Sequence, residues 1–167
     1  MSIDKVKAFF RPLGREQDVQ EFTVSSATVE LAAAALGVEP ARIAKTLSFQ
    51  DGDSCLLIVA AGDAKIDNQK FKAVFGMKAK MLSPDDALRL TGHAVGGVCP
   101  FALPEGVRVC PDVSLRRFET VFPACGSSNS AIELTCDDLY QYSGASQWVD
   151  VCKGWGDETA DSPTAVS

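Results

Sequence analysis

AKTLSFQDGDSCLLIVAAG, residues Ala44–Gly62, divides into two apolar runs around an Asp-Gly pair. Asp51-Gly52 supplies the positive-φ turn that joins adjacent antiparallel strands. After it, the run from Cys55 to Ala61 carries no charged or hydroxyl side chain. An uninterrupted apolar run of that length fits a strand covered on both faces, so the stretch reads as a hairpin whose second strand is buried. In the first strand Ile43, Lys45, Leu47 and Phe49 share one parity, and Ala44, Thr46 and Ser48 share the other. The parity aims the Lys45 ammonium at an apolar face. A lysine there is either solvated at the start of the strand or turned inward toward a partner or a ligand, because a buried charge needs one.

Helical signals flank the hairpin. Ile3, Val6, Phe9, Phe10 and Leu13 recur at helical spacing, and Pro12 and Gly14 close that segment. A second helix is expected from a Ser26 cap through Val29, Ala32, Ala33 and Leu36 to Gly37, with Pro40 opening a short turn of helix. Asp67 caps a helix over residues 68–75, ended by Gly76. Lys78 to Leu82 reads as a strand, and Ser83-Pro84-Asp85-Asp86 starts a helix that stops at Thr91-Gly92. Short strands follow at Val107 to Val109, Val121-Phe122 and Ala131 to Leu134. Asp137 is placed as the cap of a last helix through Tyr140, and Val149 to Cys152 as an edge strand. Strands and helices mix without strict alternation and without a repeat. The expectation is an α/β fold, a single domain over residues 1–154 with a mixed β-sheet flanked by helices, followed by a disordered acidic tail over 155–167.

Composition narrows the function classes. At 167 residues and 46% apolar content the chain supports one domain with a real core. No stretch approaches the ~20 apolar residues of a membrane helix, and the amino terminus lacks a signal-peptide core, so a cytoplasmic location is expected. The six cysteines form no CxxC pair and sit mostly among apolar neighbours, which points to reduced thiols and to no metal site. Net charge is −6, and the three acids of Gly156 to Ser167 supply half of it. The remaining body is mildly acidic, which argues against binding of long nucleic acid by charge alone and leaves room for a short contact with one RNA end. Lys65, Lys70, Lys72, Lys78, Lys80 and Arg89, followed by Arg108, Arg116 and Arg117, either track a phosphate backbone or form a solvated face, with Asp63, Asp67, Asp85 and Asp86 interspersed.

TGHAVGGVCPF, residues Thr91–Phe101, holds the only histidine, three glycines, a cysteine and a proline, with no charged side chain. Glycines next to a proline permit a turn that exposes backbone N–H groups at close range, or simply a tight buried turn. His93 is either a general base or a loop histidine satisfied by a carbonyl. Cys99 is either a nucleophile or a packing residue. No GxSxG elbow and no GxxxxGK[ST] phosphate loop occurs.

Five pieces in order resemble one family. They are Lys45-Thr46-Leu47, Ala61-Gly62-Asp63, the loop TGHAVGGVCPF, Asp112 with Ser114-Leu115, and Gly126-Ser127-Ser128-Asn129-Ser130-Ala131-Ile132-Glu133-Leu134. Together, over roughly residues 20–152, they are similar to the YbaK-type family, which comprises the editing domain inserted in bacterial prolyl-tRNA synthetases and its free-standing relatives. The resemblance implies that family's curved sheet, and a trans-editing aminoacyl-tRNA deacylase that hydrolyses the ester of a mischarged small amino acid such as Ala, Cys, Ser or Thr. It implies that Lys45 holds the terminal nucleotide and substrate, and that the loop from Gly96 to Pro100 presents backbone groups to the aminoacyl moiety. Lys45, Gly96 and Gly97 are the expected catalytic groups. Val98, Cys99, Pro100, His93, Asp112, Gly126, Ser127 and Asn129 are the expected substrate-binding ones. No metal, organic cofactor or covalent nucleophile is expected; water attacks with help from the tRNA's ribose hydroxyl or the substrate side chain. Ala102 departs from the family, which often has glycine there.

The expected partners are the aminoacyl-tRNA 3′ end and an aminoacyl-tRNA synthetase, with the chain a monomer or homodimer. The alternative is a non-catalytic binding module that recruits tRNA or a synthetase. Editing answers a plain chemical need, since a synthetase pocket gains only about 1–3 kcal/mol of discrimination per methylene.

Overall fold

The hairpin at 44–62 is the centre of the sheet. In the computed structural model, which describes residues 2–156, Ile43–Asp51 pairs antiparallel with Ser54–Ala61, Lys45 lying opposite Ala60 and Thr46 opposite Val59. In chain order the strands are β1 (Gln20–Glu21), β2 (Ile43–Asp51), β3 (Ser54–Ala61), β4 (Lys65–Ile66), β5 (Arg108–Pro111), β6 (Thr120–Pro123), β7 (Ser130–Ala131), β8 (Leu134–Thr135) and β9 (Cys152–Lys153). The main sheet runs β5-β3-β2-β6-β8. Its β3/β5 and β2/β6 pairs are parallel and its β2/β3 and β6/β8 pairs antiparallel. This is the expected mixed α/β sheet, curved into a half-barrel. Every residue of β3 from Cys55 to Ala61 is fully buried, as its unbroken apolar run requires.

The helices are α1 (Ser2–Phe10), α2 (Val29–Leu36), α3 (Asn68–Phe75), α4 (Pro84–Thr91) and α5 (Cys136–Tyr142). Asp67 and Ser83 cap α3 and α4 as expected, and Gly37, Gly76 and Gly92 end α2, α3 and α4 in left-handed conformations. Two caps move by two residues: Thr28, not Ser26, accepts from Leu31 N–H, and Thr135, not Asp137, accepts from Asp138 N–H. Helix α1 buries Val6 and Phe10, while Leu13 lies beyond it in a 3₁₀ turn and is exposed. Phe10 packs edge-on against Phe101, ring centroids 4.9 Å apart. That contact seats α1 under the glycine-rich loop.

Residues 78–82 do not form a strand. Met81 makes one bridge to Phe49, and two backbone bonds, Gln50 N–H to Lys80 O and Leu82 N–H to Ser48 O, clip the segment to the end of β2. The expected strand at Ala131 to Leu134 is split between β7 and β8, and the edge strand expected from Val149 shortens to β9, Val149 itself bridging to Asp112. Residues 157–167, most of the expected tail, lie outside the described residues. No described helix is long and apolar enough to cross a membrane.

Candidate active site

Helix α2 and its leading segment, β2, α4, the glycine-rich loop, β6 and β7 enclose one cavity of about 320 Å³. Lys45, Gly96 and Val98 all line it. The Lys45 side chain is half-buried, and its Nζ donates to Ala64 O and, at 3.5 Å, to Gly62 O. An ammonium has three donors, so one remains for a ligand. Burial pulls the Lys45 pKa below its ordinary value, against the opposing pull of Cys152, Asp63 and Glu30. The inward reading of its parity therefore has a physical basis in two backbone carbonyls.

The loop divides its residues between cavity and core. Gly96 takes φ +94°, which only glycine adopts without strain. A Cβ there would meet Ser128 and Ala27 at 3.5 and 3.6 Å, so three segments converge on this point. Gly97 N–H donates to Ala94 O within the turn. The Gly96 and Val98 N–H groups have no acceptor among the described residues. Gly97 instead packs its backbone on Gly126 and Ser127.

His93, Cys99 and Pro100 are buried behind the loop and do not line the cavity. His93 Nε2–H donates to Phe101 O at 2.8 Å, which leaves Nδ1 to accept from the Ser2 hydroxyl. Burial holds its pKa below the ordinary imidazole value, partly offset by the Phe101 carbonyl. Both ring nitrogens are thus engaged in the core. Cys99 is fully buried, and desolvation pushes its thiol up to about 12, far from the thiolate a nucleophile needs.

The remaining expected residues also stand outside the cavity lining. Asp112 is fully buried and accepts from Ser114 N–H at 2.9 Å and Val151 N–H at 2.8 Å, tying β5 to the segment before β9. Ser127 donates to Asn129 Oδ1, Asn129 Nδ2 donates to Phe22 O, and Gly126 crosses closely over Ser2. The Asn129 bond braces this second glycine turn, residues 126–129, against the segment that leads into α2, and the Gly126 contact seats it on the start of α1.

The family model of the aminoacyl-tRNA editing domain matches residues 23–142, a span that holds β2, the glycine-rich loop and the second glycine turn. The chain belongs to the aminoacyl-tRNA editing-domain family. This editing domain is 58% identical over 156 residues, 93% of its length and 99% of the relative's, to YwhH of Bacillus subtilis (strain 168), which is described as uncharacterized. It is 32% identical over 95 residues to a proline–tRNA ligase of Lysinibacillus sphaericus (strain C3-41), covering 56% of this chain but 17% of that enzyme. A crystal structure described as a suggested trans-editing enzyme for prolyl-tRNA synthetase superposes with a TM-score of 0.82 at 27% identity, covering 92% of this chain and 98% of that one.

Several cavity residues of the editing domain are not among the site residues expected from the sequence. Ser26, Ala27, Thr46, Met81, Val95 and Phe122 all line it. Thr46 had a weak signal, standing next to Lys45 in the Lys-Thr-Leu piece. Ser26 was legible only as a helix cap, a role that falls to Thr28.

Proposed function

We propose that this editing domain works in trans as an aminoacyl-tRNA deacylase, hydrolysing the ester between a mischarged small amino acid and the tRNA 3′ end. The observation that supports it best is one cavity lined by Lys45, whose ammonium keeps a donor to spare, and by Gly96 and Val98, whose N–H groups have no acceptor among the described residues. An aminoacyl ester is already activated. Fixed N–H donors aimed at the developing oxyanion, with a positioned water, suffice without a nucleophilic side chain. Lys45 holds the terminal nucleotide or the ester region, Gly97 supports the loop that carries the donors, and the partly apolar cavity receives the amino acid. A synthetase partner in the cytoplasm supplies the tRNA affinity that a net charge of −6 does not.

Incubation with a panel of tRNAs mischarged with Ala, Cys, Ser and Thr tests the reading; ester loss no faster than background for every one of them would sink it, and tight tRNA binding without turnover would favour a recruiting module. Within an active protein, Lys45→Ala should lower kcat/KM by about 100-fold or more with the far-ultraviolet circular dichroism unchanged. Wild-type rates in that variant reject the role given to Lys45.

A further inference from the structure

Two of the sequence pieces that resemble the family, Ala61-Gly62-Asp63 and Asp112 with Ser114-Leu115, stand outside the cavity lining. The first of them holds Lys45. Strand β3 ends at Ala61, and the turn over residues 62–64 that leads into β4 supplies both carbonyls, Gly62 O and Ala64 O, that accept from Lys45 Nζ. A lysine ammonium sits on a flexible four-carbon stem, so its position in the cavity depends on what holds it. Displacing the turn displaces the charge.

The turn is fixed from three sides. Gly62 leaves no room beside it, since a Cβ there would stand 2.0 Å from Pro40 O and 2.7 Å from Val29 Cγ1. Ala61 N–H donates to the Ser114 hydroxyl at 3.1 Å, and Ser114 N–H donates in turn to the buried Asp112 carboxylate. On the third side Asp63 accepts two bonds from Arg117, Nη1 to Oδ2 at 3.0 Å and Nη2 to Oδ1 at 2.6 Å. The guanidinium is itself held: its Nε donates to Ser114 O at 2.9 Å, and its carbon lies 4.9 Å from the ring centroids of both Phe118 and Trp155. A two-point pair with an ordered, planar guanidinium sets direction as well as distance.

Resting on the deacylase reading, we propose that Asp63 and Arg117 are positioning residues, whose ion pair fixes the turn that orients the Lys45 ammonium in the cavity. The two unplaced sequence pieces then form one support, the Asp112-Ser114 turn bracing the Gly62 turn and Arg117 joining them. Asp63, Glu30 and Cys152 also act on Lys45 through their charge, with Lys65 opposing them. A variant that keeps both charges of the pair and loses its fork therefore separates geometry from field. Arg117→Lys is that variant, because an ammonium cannot reproduce two parallel N–H bonds.

The experiment measures single-turnover deacylation, enzyme in excess, of whichever ester of the Ala, Cys, Ser and Thr panel wild type hydrolyses fastest. The variants are Asp63→Ala, Arg117→Lys, Lys45→Ala and the double variant Asp63→Ala with Lys45→Ala. Asp63→Ala should slow the reaction about tenfold, and Arg117→Lys nearly as much. Melting temperatures should stay within about 4 °C of wild type, as partly exposed pairs contribute little to stability. In the Lys45→Ala background the loss of Asp63 should cost less than about twofold, since residues acting through one group are not additive. A pair that only stabilises the fold would slow both backgrounds by the same factor. That result, or wild-type rates in Asp63→Ala or Arg117→Lys, overturns the assignment while leaving the deacylase standing. A wild type inactive on every ester overturns both.

Discussion

Gly97→Ala tests the construction of the site where two glycine turns meet. A Cβ on residue 97 would lie 2.8 Å from Gly126 C and Ser127 N and 2.9 Å from Gly126 O, several tenths of an ångström inside ordinary contact. Those are main-chain atoms, so no rotamer relieves the clash. The second turn cannot retreat either: the Ser2 backbone lies behind Gly126, 2.9 Å from where a Cβ on residue 126 would sit, and Ser127 is tied to Asn129 and Ser130. Gly97 is not among the positive-φ glycines, so the substitution isolates packing from backbone strain. Overpacking costs about 1–3 kcal/mol, and a clash between two backbones belongs in the upper half of that range. At about 2–4 °C per kcal/mol for a chain of this size, the melting temperature should fall by about 4–12 °C. The loop that carries Gly96 and Val98 must shift, and small misplacements of positioning groups are costly, so deacylation at 20 °C should fall by about tenfold or more. Thermal unfolding by circular dichroism, with the deacylation rate measured well below the transition, gives both numbers. A melting temperature within about 1 °C of wild type refutes the contact between the two turns.

Two further outcomes rest on single residues. Ala102 takes φ +55°, the one non-glycine residue with positive φ among those described; relief of left-handed strain, less the entropy glycine adds to the unfolded chain, should make Ala102→Gly about 0.5–1 kcal/mol more stable in urea, and a loss of stability would contradict that backbone conformation. His93 titrates below its ordinary 6.5 because it is buried, so between that lowered value and 6.5 the unfolded chain binds more protons; stability is complete above this window and is lost as pH falls through it. As His93 is the only histidine, the urea midpoint of His93→Gln should fall less between pH 7 and pH 5 than that of wild type, and equal slopes would refute the buried neutral imidazole.

Local chemistry made much of the fold legible. The Asp-Gly turn and the apolar run after it determine the central hairpin, because both signals act within a few residues. Where neighbouring residues have the same chemistry, the sequence does not choose between them. Ser26 and Thr28, or Thr135 and Asp137, are equally good caps, and the choice depends on where the incoming chain is held, as Ser26 is by Ser128. The strand expected at 78–82 failed for a related reason. Its backbone does lie along the end of β2, yet only Met81 reaches bridge geometry, since pairing there depends on a sheet edge that β6 leaves uncovered beyond Ala44.

The site shows the same division more sharply. Strand parity and turn chemistry left Lys45 and Gly96 open, and the family resemblance is what named them as site candidates; both line the cavity. His93 and Cys99 looked chemical because of what they are, and turn away because of what lies beneath them. The Ser2 hydroxyl that engages His93 is 91 positions away in the chain, and no local pattern announces such a partner.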